Sequence, residues 1–222
     1  MLKEDQPNEA SFRRARTDAQ RNQRREHILA IARELLVERR VPDLRLNELA
    51  RSVGLAKASL LGYFGSREAV LLELARREYT EWVDELESAV GPQTPAQFAH
   101  VLAETATSRP LLSELLANLM TSLEHNVSTD EIIAFKRAMY DQIERLQRLL
   151  DAVTGSLSPE RRLILVPGIH ALIIEFHSLA HPSTALQSAA ALDPRIHCGL
   201  PDHTGSLAAA LTLYLTGARA TD

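Results

Sequence analysis

The sequence predicts an all-α fold of about nine helices, a small three-helix unit followed by a larger helical domain. Three observations lead there. Apolar residues recur at helical spacing from about Arg21 to the end of the chain, and no stretch alternates as a strand does. Prolines fall between or at the start of these periodic runs, Pro167 excepted. Two short runs in the front half are separated by a few residues around Gly54, the spacing of a helix-turn-helix.

Taken in order, residues 1–20 are polar, carry Arg13, Arg14 and Arg16, and read as a flexible basic arm. From Arg21, one stripe holds Ile28, Ala32, Leu35 and Leu36 until Val41-Pro42-Asp43 breaks it. A short helix follows with Leu46, Leu49, Ala50 and Val53 inward. Gly54-Leu55 turns the chain into a second short helix, Lys57 to about Phe64. Gly65-Ser66 separates this from a long helix, Arg67 to about Ala89. Thr94-Pro95-Ala96-Gln97 is a capping box with proline at the first helical position, so a helix runs from there to about Thr105. Ser108-Arg109-Pro110 opens another, apolar from Leu111 to Met120. Thr129 or Ser128 caps the next, which runs through Phe135 and Met139 to Leu150. Ser158-Pro159-Glu160 starts a helix that reaches about His181 and is kinked at Pro167. Residues 182–204 read as a loop, and Gly205 to about Thr216 as the last helix.

Composition bounds the class. The 222 residues are 45% hydrophobic and 24% charged, as in an ordinary soluble globular protein. No apolar run approaches the roughly 18 residues of a membrane span, and the polar N-terminus lacks a secretion signal, so the expected location is the cytoplasm. A single cysteine, Cys198, cannot form an internal disulfide. The net charge of −4 conceals an asymmetry. From Ser11 to Arg67 there are 13 Lys and Arg against 6 Asp and Glu; from Glu81 onward the balance is 9 against 17. A basic front and an acidic rear fit a front that meets a polyanion. Enzyme signatures are missing: there is no phosphate-binding glycine loop, no H-E-x-x-H and no G-x-S-x-G.

The second short helix can be laid out at about 100° per residue. With Leu60 and Phe64 inward, Ala58 and Gly62 point directly away from the core, flanked by Ser59 and Leu61. Lys57 and Tyr63 stand on the shoulders. Small outward residues suit close approach to the floor of a DNA major groove, while the shoulder groups reach phosphates. The competing description of this face is an ordinary solvated surface.

The run from Leu46 to Leu71, LNELARSVGLAKASLLGYFGSREAVL, resembles the TetR-family DNA-binding domain. Leu49, Ala50, Gly54, Leu60, Tyr63, Phe64, Ser66, Glu68 and Leu71 occupy family positions, and the likeness spans about 21–75. It implies DNA contact by Lys57, Ala58, Ser59, Leu61, Gly62 and Tyr63, and phosphate contact by Arg67, which stands where the family usually has lysine. Three residues depart from the pattern. Ala56 and Arg45 replace the hydroxyl residues that usually cap the two short helices, and Leu61 replaces an aromatic. Each lost cap costs about 1 kcal/mol, so tertiary packing must hold these helices. Arg45 can act as a phosphate contact in place of the hydroxyl, and Asp43 can cap two residues earlier. Leu61 and Ala58 favour thymine-methyl contact, leaving much of the specificity to DNA shape and to Arg13, Arg14 and Arg16 in a flanking minor groove.

The resemblance implies three regions: the arm at 1–20, a helix-turn-helix domain at 21–66, and a ligand-binding and dimerisation domain at 67–222. By position, the helices 158–181 and 205–216 would form a four-helix bundle with a second subunit, through Leu207, Leu211, Tyr214 and Leu215. The central helices would enclose an apolar effector pocket near Trp82, Phe98, Met120, Tyr140, Phe176 and His177, each of which also fits plain core. The implied partners are a palindromic or near-palindromic double-stranded DNA operator, a second copy of the chain and a small hydrophobic effector, with no membrane and no cofactor. His170, His177 and His181 share one stripe. His177 and His181 at i, i+4 could chelate a metal only with a carboxylate such as Glu175, and packed or interface histidines are the expected reading, so no metal is assigned. The implied function is a regulator, most simply a repressor released by its effector. The alternative is a TetR-like DNA-binding architectural or protein-regulated factor with no effector.

Overall fold

The computed structural model describes residues 9–89, 91, 94–119, 122–155 and 157–219. Among them all regular structure is helical. The chain divides into two compact units, one ending at Leu74 and the other beginning at Ala75, so the division falls inside a helix.

The first unit holds α1 (Glu9–Leu35), a 3-10 turn at Val41–Asp43, α2 (Leu46–Val53), α3 (Lys57–Phe64) and the start of α4 (Arg67–Ala89). Its core gathers Ile28, Leu29, Ala32 and Leu36 of the first helical segment, Val41 and Leu44 of the connection, Leu49, Ala50 and Val53 of α2, and Leu60 and Phe64 of α3. Burial of these aliphatic side chains, each worth about 1.5–3 kcal/mol, holds helices too short to persist alone. The expected arm is corrected here. Residues 9–20 continue α1, because Glu9-Ala10-Ser11-Phe12-Arg13-Arg14-Ala15-Arg16 is rich in good helix formers and holds no glycine or proline. The side chains of Arg13, Arg14 and Arg16 lie outside the described residues.

The second unit holds the rest of α4, then α5 (Pro95–Thr107), α6 (Pro110–Leu119), a 3-10 turn at Leu123–His125, α7 (Thr129–Thr154), α8 (Pro159–Ala180), α9 (Thr184–Leu192) and α10 (His203–Arg219). Both capping boxes form. Thr94 Oγ1 accepts from the Gln97 N–H while the Gln97 side chain accepts from the Thr94 N–H. Ser128, not Thr129, is the cap of α7, with Glu131 reciprocating. Around the core, α10 packs on α5, α7 and α8, and α6 and α7 pack on α8. Two polar ties join α4 to its neighbours. Arg109, at the α5–α6 junction, bonds Glu85 at 2.8 Å and Glu81 at 3.3 Å, and Arg145 of α7 reaches Asp84 at 2.6 Å.

Two expectations change in this unit. The span read as a loop contains α9, because Pro182 precedes the helix and Ser183 caps it through the Leu186 N–H. The prolines there flank a helix and do not prevent one. In addition, α8 is long and apolar enough to cross a membrane by length and composition. Its apolar residues point two ways: Leu165, Val166, Ile169 and Ile173 inward, Leu163 and Ile164 outward.

Candidate nucleic-acid interface

The turn between α2 and α3 is set by Gly54, whose φ of 71° is left-handed. Its N–H bonds the Arg51 carbonyl and the Leu55 N–H bonds the Ala50 carbonyl, the paired bonds of a Schellman ending. A side chain at this φ would be strained, so the family-position glycine has a backbone reason. The turn aims α3 so that Leu60 and Phe64 are buried. Lys57, Ala58, Ser59 and Gly62 are exposed, while Leu61 and Tyr63 are half-buried. A Cβ at Gly62 would meet nothing within 4 Å. Among the described residues nothing therefore needs a glycine there, although glycine in a helix interior costs roughly 0.5–1 kcal/mol against alanine.

Neither short helix has a side-chain cap. Arg45 (φ −99°, ψ 136°) and Ala56 (φ −68°, ψ 148°) both adopt the extended backbone of an N-cap and offer no side-chain acceptor. The Arg45 side chain is exposed. The other end of α3 is tied to α1. From α1, the Arg21 Nη2 donates to the Gly62 carbonyl at 2.8 Å, and Arg25 donates to the Tyr63 carbonyl. The Arg25 guanidinium lies 3.9 Å from the centre of the Phe64 ring, and that of Arg21 lies 5.5 Å from the Tyr63 ring. Two cations thus satisfy carbonyls left open at the C-terminal end of the helix, where its dipole favours positive charge. Sequence reading missed both. Their i, i+4 spacing on α1 is a usable signal only when the packing partner of that face is known.

Arg67 has an internal role. Its Nη1 donates to the carbonyls of Leu44 at 3.0 Å and Pro42 at 3.2 Å, and its Nε to Glu68 at 3.0 Å. These bonds tie the start of α4 to the connection before α2. Ser66 begins α4 by accepting from the Ala69 N–H at 3.0 Å.

A cationic three-helix unit with a small-residue outward helix is thus followed by a separate helical body. A model of "Bacterial regulatory proteins, tetR family" matches residues 28–74, and one of "Tetracyclin repressor-like, C-terminal domain" matches 76–222. The chain belongs to the TetR family. It is a transcriptional regulator by fold, and no catalytic family is indicated. No curated protein matches its sequence. Solved structures share the fold at low identity. PfmR, a TetR-family regulator from Thermus thermophilus, is 17% identical over 85% of this chain and 97% of its own, with a TM-score of 0.55. A TetR/AcrR-family regulator from Thermobifida fusca is 21% identical over 88% and 98%, at 0.51. FadR, a repressor also from Thermus thermophilus and solved with lauroyl-CoA, is 16% identical over 89% and 96%, at 0.56.

In this TetR-family chain the residues expected to line a pocket differ in burial. Trp82 and Phe98 are fully buried, and the Trp82 indole donates to Thr105 Oγ1 at 3.0 Å. Tyr140 is 61% exposed on α7. Phe176 and His177 are half-buried on α8, and Met120 lies outside the described residues. The second unit holds a buried polar pair instead. The Tyr79 hydroxyl of α4 and His170 Nε2 of α8 share a hydrogen bond of 2.8 Å, with the rings edge-on. Part of His170 stays accessible, yet its Nε2 faces a fully buried tyrosine, and desolvation there pushes the imidazole down to about 4. The same burial pushes the Tyr79 phenol well up, so both groups stay neutral. His177 Nε2 stands 3.5 Å from the Glu114 carboxylate of α6, and His181 Nδ1 donates to the His177 carbonyl. His170 thus has a partner of its own, the His177 and His181 rings lie 4.4 Å apart, Glu175 is exposed, and no metal-ligand cluster of three or more groups occurs among the described residues.

The expected dimer stripe is also corrected. Leu207, Leu211 and Leu215 are buried within one chain, on the face of α10 that packs among α5, α7 and α8. An apolar stripe reports burial without naming the neighbour, and α10 has a second apolar face. Leu213 is 77% exposed there, beside the half-buried Tyr214, whose hydroxyl donates to the Ile164 carbonyl at 2.8 Å. Gly168 makes this possible, since a Cβ on it would fall 2.1 Å from that hydroxyl.

Proposed function

We propose that this TetR-family regulator is a homodimeric repressor that binds a palindromic or near-palindromic duplex through α3 and is released by a small, mainly hydrophobic effector. The observation that carries the DNA reading is the outward face of α3. Lys57, Ala58, Ser59 and Gly62 are exposed together, and Gly62 has no internal reason to be glycine. Its absent side chain lets the backbone approach base edges, where Ala58 and Leu61 suit thymine methyls. Lys57 and Tyr63 supply phosphate contacts, joined by Arg45.

One such unit is too small for tight specific binding, so two copies reading two half-sites are expected. The dimer face we assign is the outer side of α8 and α10. Leu163 is 76% exposed and Ile164 61%, and the groove between Ala171, Leu172, Ala210 and Leu213 is mainly apolar, with Glu175 and Tyr214 also in its lining. A face of this kind favours a second copy over water.

For the effector, Phe176 and His177 mark the favoured wall, and the lauroyl-CoA bound by FadR is a precedent for an apolar ligand in this fold. A ligand that binds the DNA-incompetent spacing of the two α3 helices lowers operator affinity by its preference between the two states, with α4 as the transmitting helix. The complete burial of Trp82 and Phe98 favours the second reading, a factor controlled without a small molecule. Protection mapping of the DNA upstream of the protein's own gene, with a thermal-shift screen of fatty acids and acyl-CoAs, separates them. A compound that raises Tm and weakens the footprint supports the effector reading. A footprint that no compound shifts supports the second, and no footprint with a monomer in sedimentation overturns both.

A further inference from the structure

Beside the outward face of α3 lies a cleft lined by Gln20, Arg21, Gln23, Arg24 and His27 of α1 and by Tyr63 of α3. Among the described residues no carboxylate lines it. Gln20, Gln23, Arg24 and His27 follow the i, i+3, i+4, i+7 spacing that places them on one helix face, and all four are exposed. Among the described residues neither Arg24 nor His27 has a hydrogen-bond or ion-pair partner, although Arg21 and Arg25 on the same helix are both committed to α3. The Tyr63 ring forms the far wall and is held by Arg21.

The geometry points to this cleft as a seat for a backbone phosphate of duplex DNA, with Arg24 and His27 as ligands and Arg21 as the positioning residue that holds Tyr63 in place. The inference rests on the reading of α3 as the groove helix. Tyr63 ends that helix, and a residue on its shoulder lies against the sugar-phosphate strand when the helix is in the major groove. The cleft that Tyr63 shares with α1 opens beside that strand. There it offers a guanidinium, an imidazole, two amides and a phenol, all able to donate to phosphate oxygens. The DNA footprint therefore extends from α3 onto the exposed face of α1, and this part of it adds affinity without reading sequence.

The test uses the full chain and a labelled mixed-sequence duplex, with anisotropy titrations over a sodium chloride series. Arg24→Ala is expected to weaken binding several-fold and to reduce the salt slope by about one unit, with Arg24→Lys keeping the slope. His27→Ala is expected to weaken binding with a smaller change of slope. Both side chains are exposed, so circular dichroism should match the parent. If Arg24→Ala and His27→Ala bind like the parent while Lys57→Ala loses affinity and slope, the cleft is idle and the α3 reading stands. If the parent shows no salt-dependent duplex binding, both fall.

Discussion

Replacing Arg67 with alanine separates a structural tie from a DNA contact. The arginine joins three carbonyl or carboxylate groups: Leu44 at 3.0 Å, Pro42 at 3.2 Å and Glu68 at 3.0 Å. Hydrogen bonds from a charged donor contribute about 1.5–3 kcal/mol each in favourable cases. Here the side chain is 21% exposed and the two backbone carbonyls lie near the surface, so water recovers part of what is lost. The pairing with the adjacent Glu68 adds at most about 1 kcal/mol. The total comes to about 2 kcal/mol, mostly through the Val41–Leu44 connection whose two ends are fully buried.

For a chain of this length each kcal/mol moves Tm by about 2–4 °C, so Arg67→Ala should melt about 4–8 °C below the parent. Calorimetry reads the melting, and anisotropy with a duplex reads the salt slope on the same samples. The expected result is a lower Tm with an unchanged slope, and DNA affinity at low temperature close to the parent's. A Tm within about 1 °C of the parent, with the slope reduced by about one unit, would refute the argument and return Arg67 to the phosphate backbone.

Three further substitutions test other elements. Ala56 already has N-cap backbone angles, so Ala56→Ser should add about 1 kcal/mol in a denaturant melt; no gain would mean that the start of α3 is satisfied otherwise. His170 is held neutral with its imidazole at about 4 against an ordinary 6.5, so the unfolded chain binds the extra proton between those values and stability is lost as pH falls through that window. At about 1.4 kcal/mol per unit the shift caps the effect at about 3 kcal/mol, and the partial exposure of the residue lowers it toward about 2 kcal/mol. Melts of His170→Gln should show a weaker acid dependence than the parent, and parallel curves would exclude His170 as the cause. Gly168→Ala places a methyl against the Tyr214 hydroxyl and should cost about 1–3 kcal/mol in stability, with Tyr214→Ala restoring most of it; a neutral Gly168→Ala would show that the tyrosine swings aside freely.

The fold class was legible because helical periodicity is a property of the chain itself. The two capping boxes, the glycine turn and the uncapped starts of α2 and α3 are local, and each could be read from four or five consecutive residues. The helical run at 9–20 was not legible, since it has no apolar stripe and rests on propensity alone. The hidden α9 shows the reverse fault: prolines at 182, 194 and 201 suggest a loop, yet all three lie outside the helix. The second unit was hardest to read. Periodicity places Leu207, Leu211 and Leu215 on one side of α10, but whether that side meets its own chain or a second copy depends on where α5 stands. Tyr79 and His170 are 91 residues apart and become partners only in the folded unit.

The DNA-binding unit also shows how a helix-turn-helix can lose two caps and keep its geometry. A side-chain cap is local and compensates one helix end. The contacts that hold the helices here cross between elements: Arg21 and Arg25 from α1 to the end of α3, and Arg67 from α4 to the connection before α2. All three are arginines, which present several donors in a fixed fork and can bond a carbonyl while stacking on a ring. The positive excess of the first seventy residues is therefore partly structural, and formal charge overstates the cations free for DNA. Arg24, His27, Arg45 and Lys57 remain exposed. The salt slope of binding should track these residues, while melting temperature tracks Arg21, Arg25 and Arg67. A set of single alanine variants measured both ways would sort the arginines of this unit into those that hold the helix and those that hold the DNA.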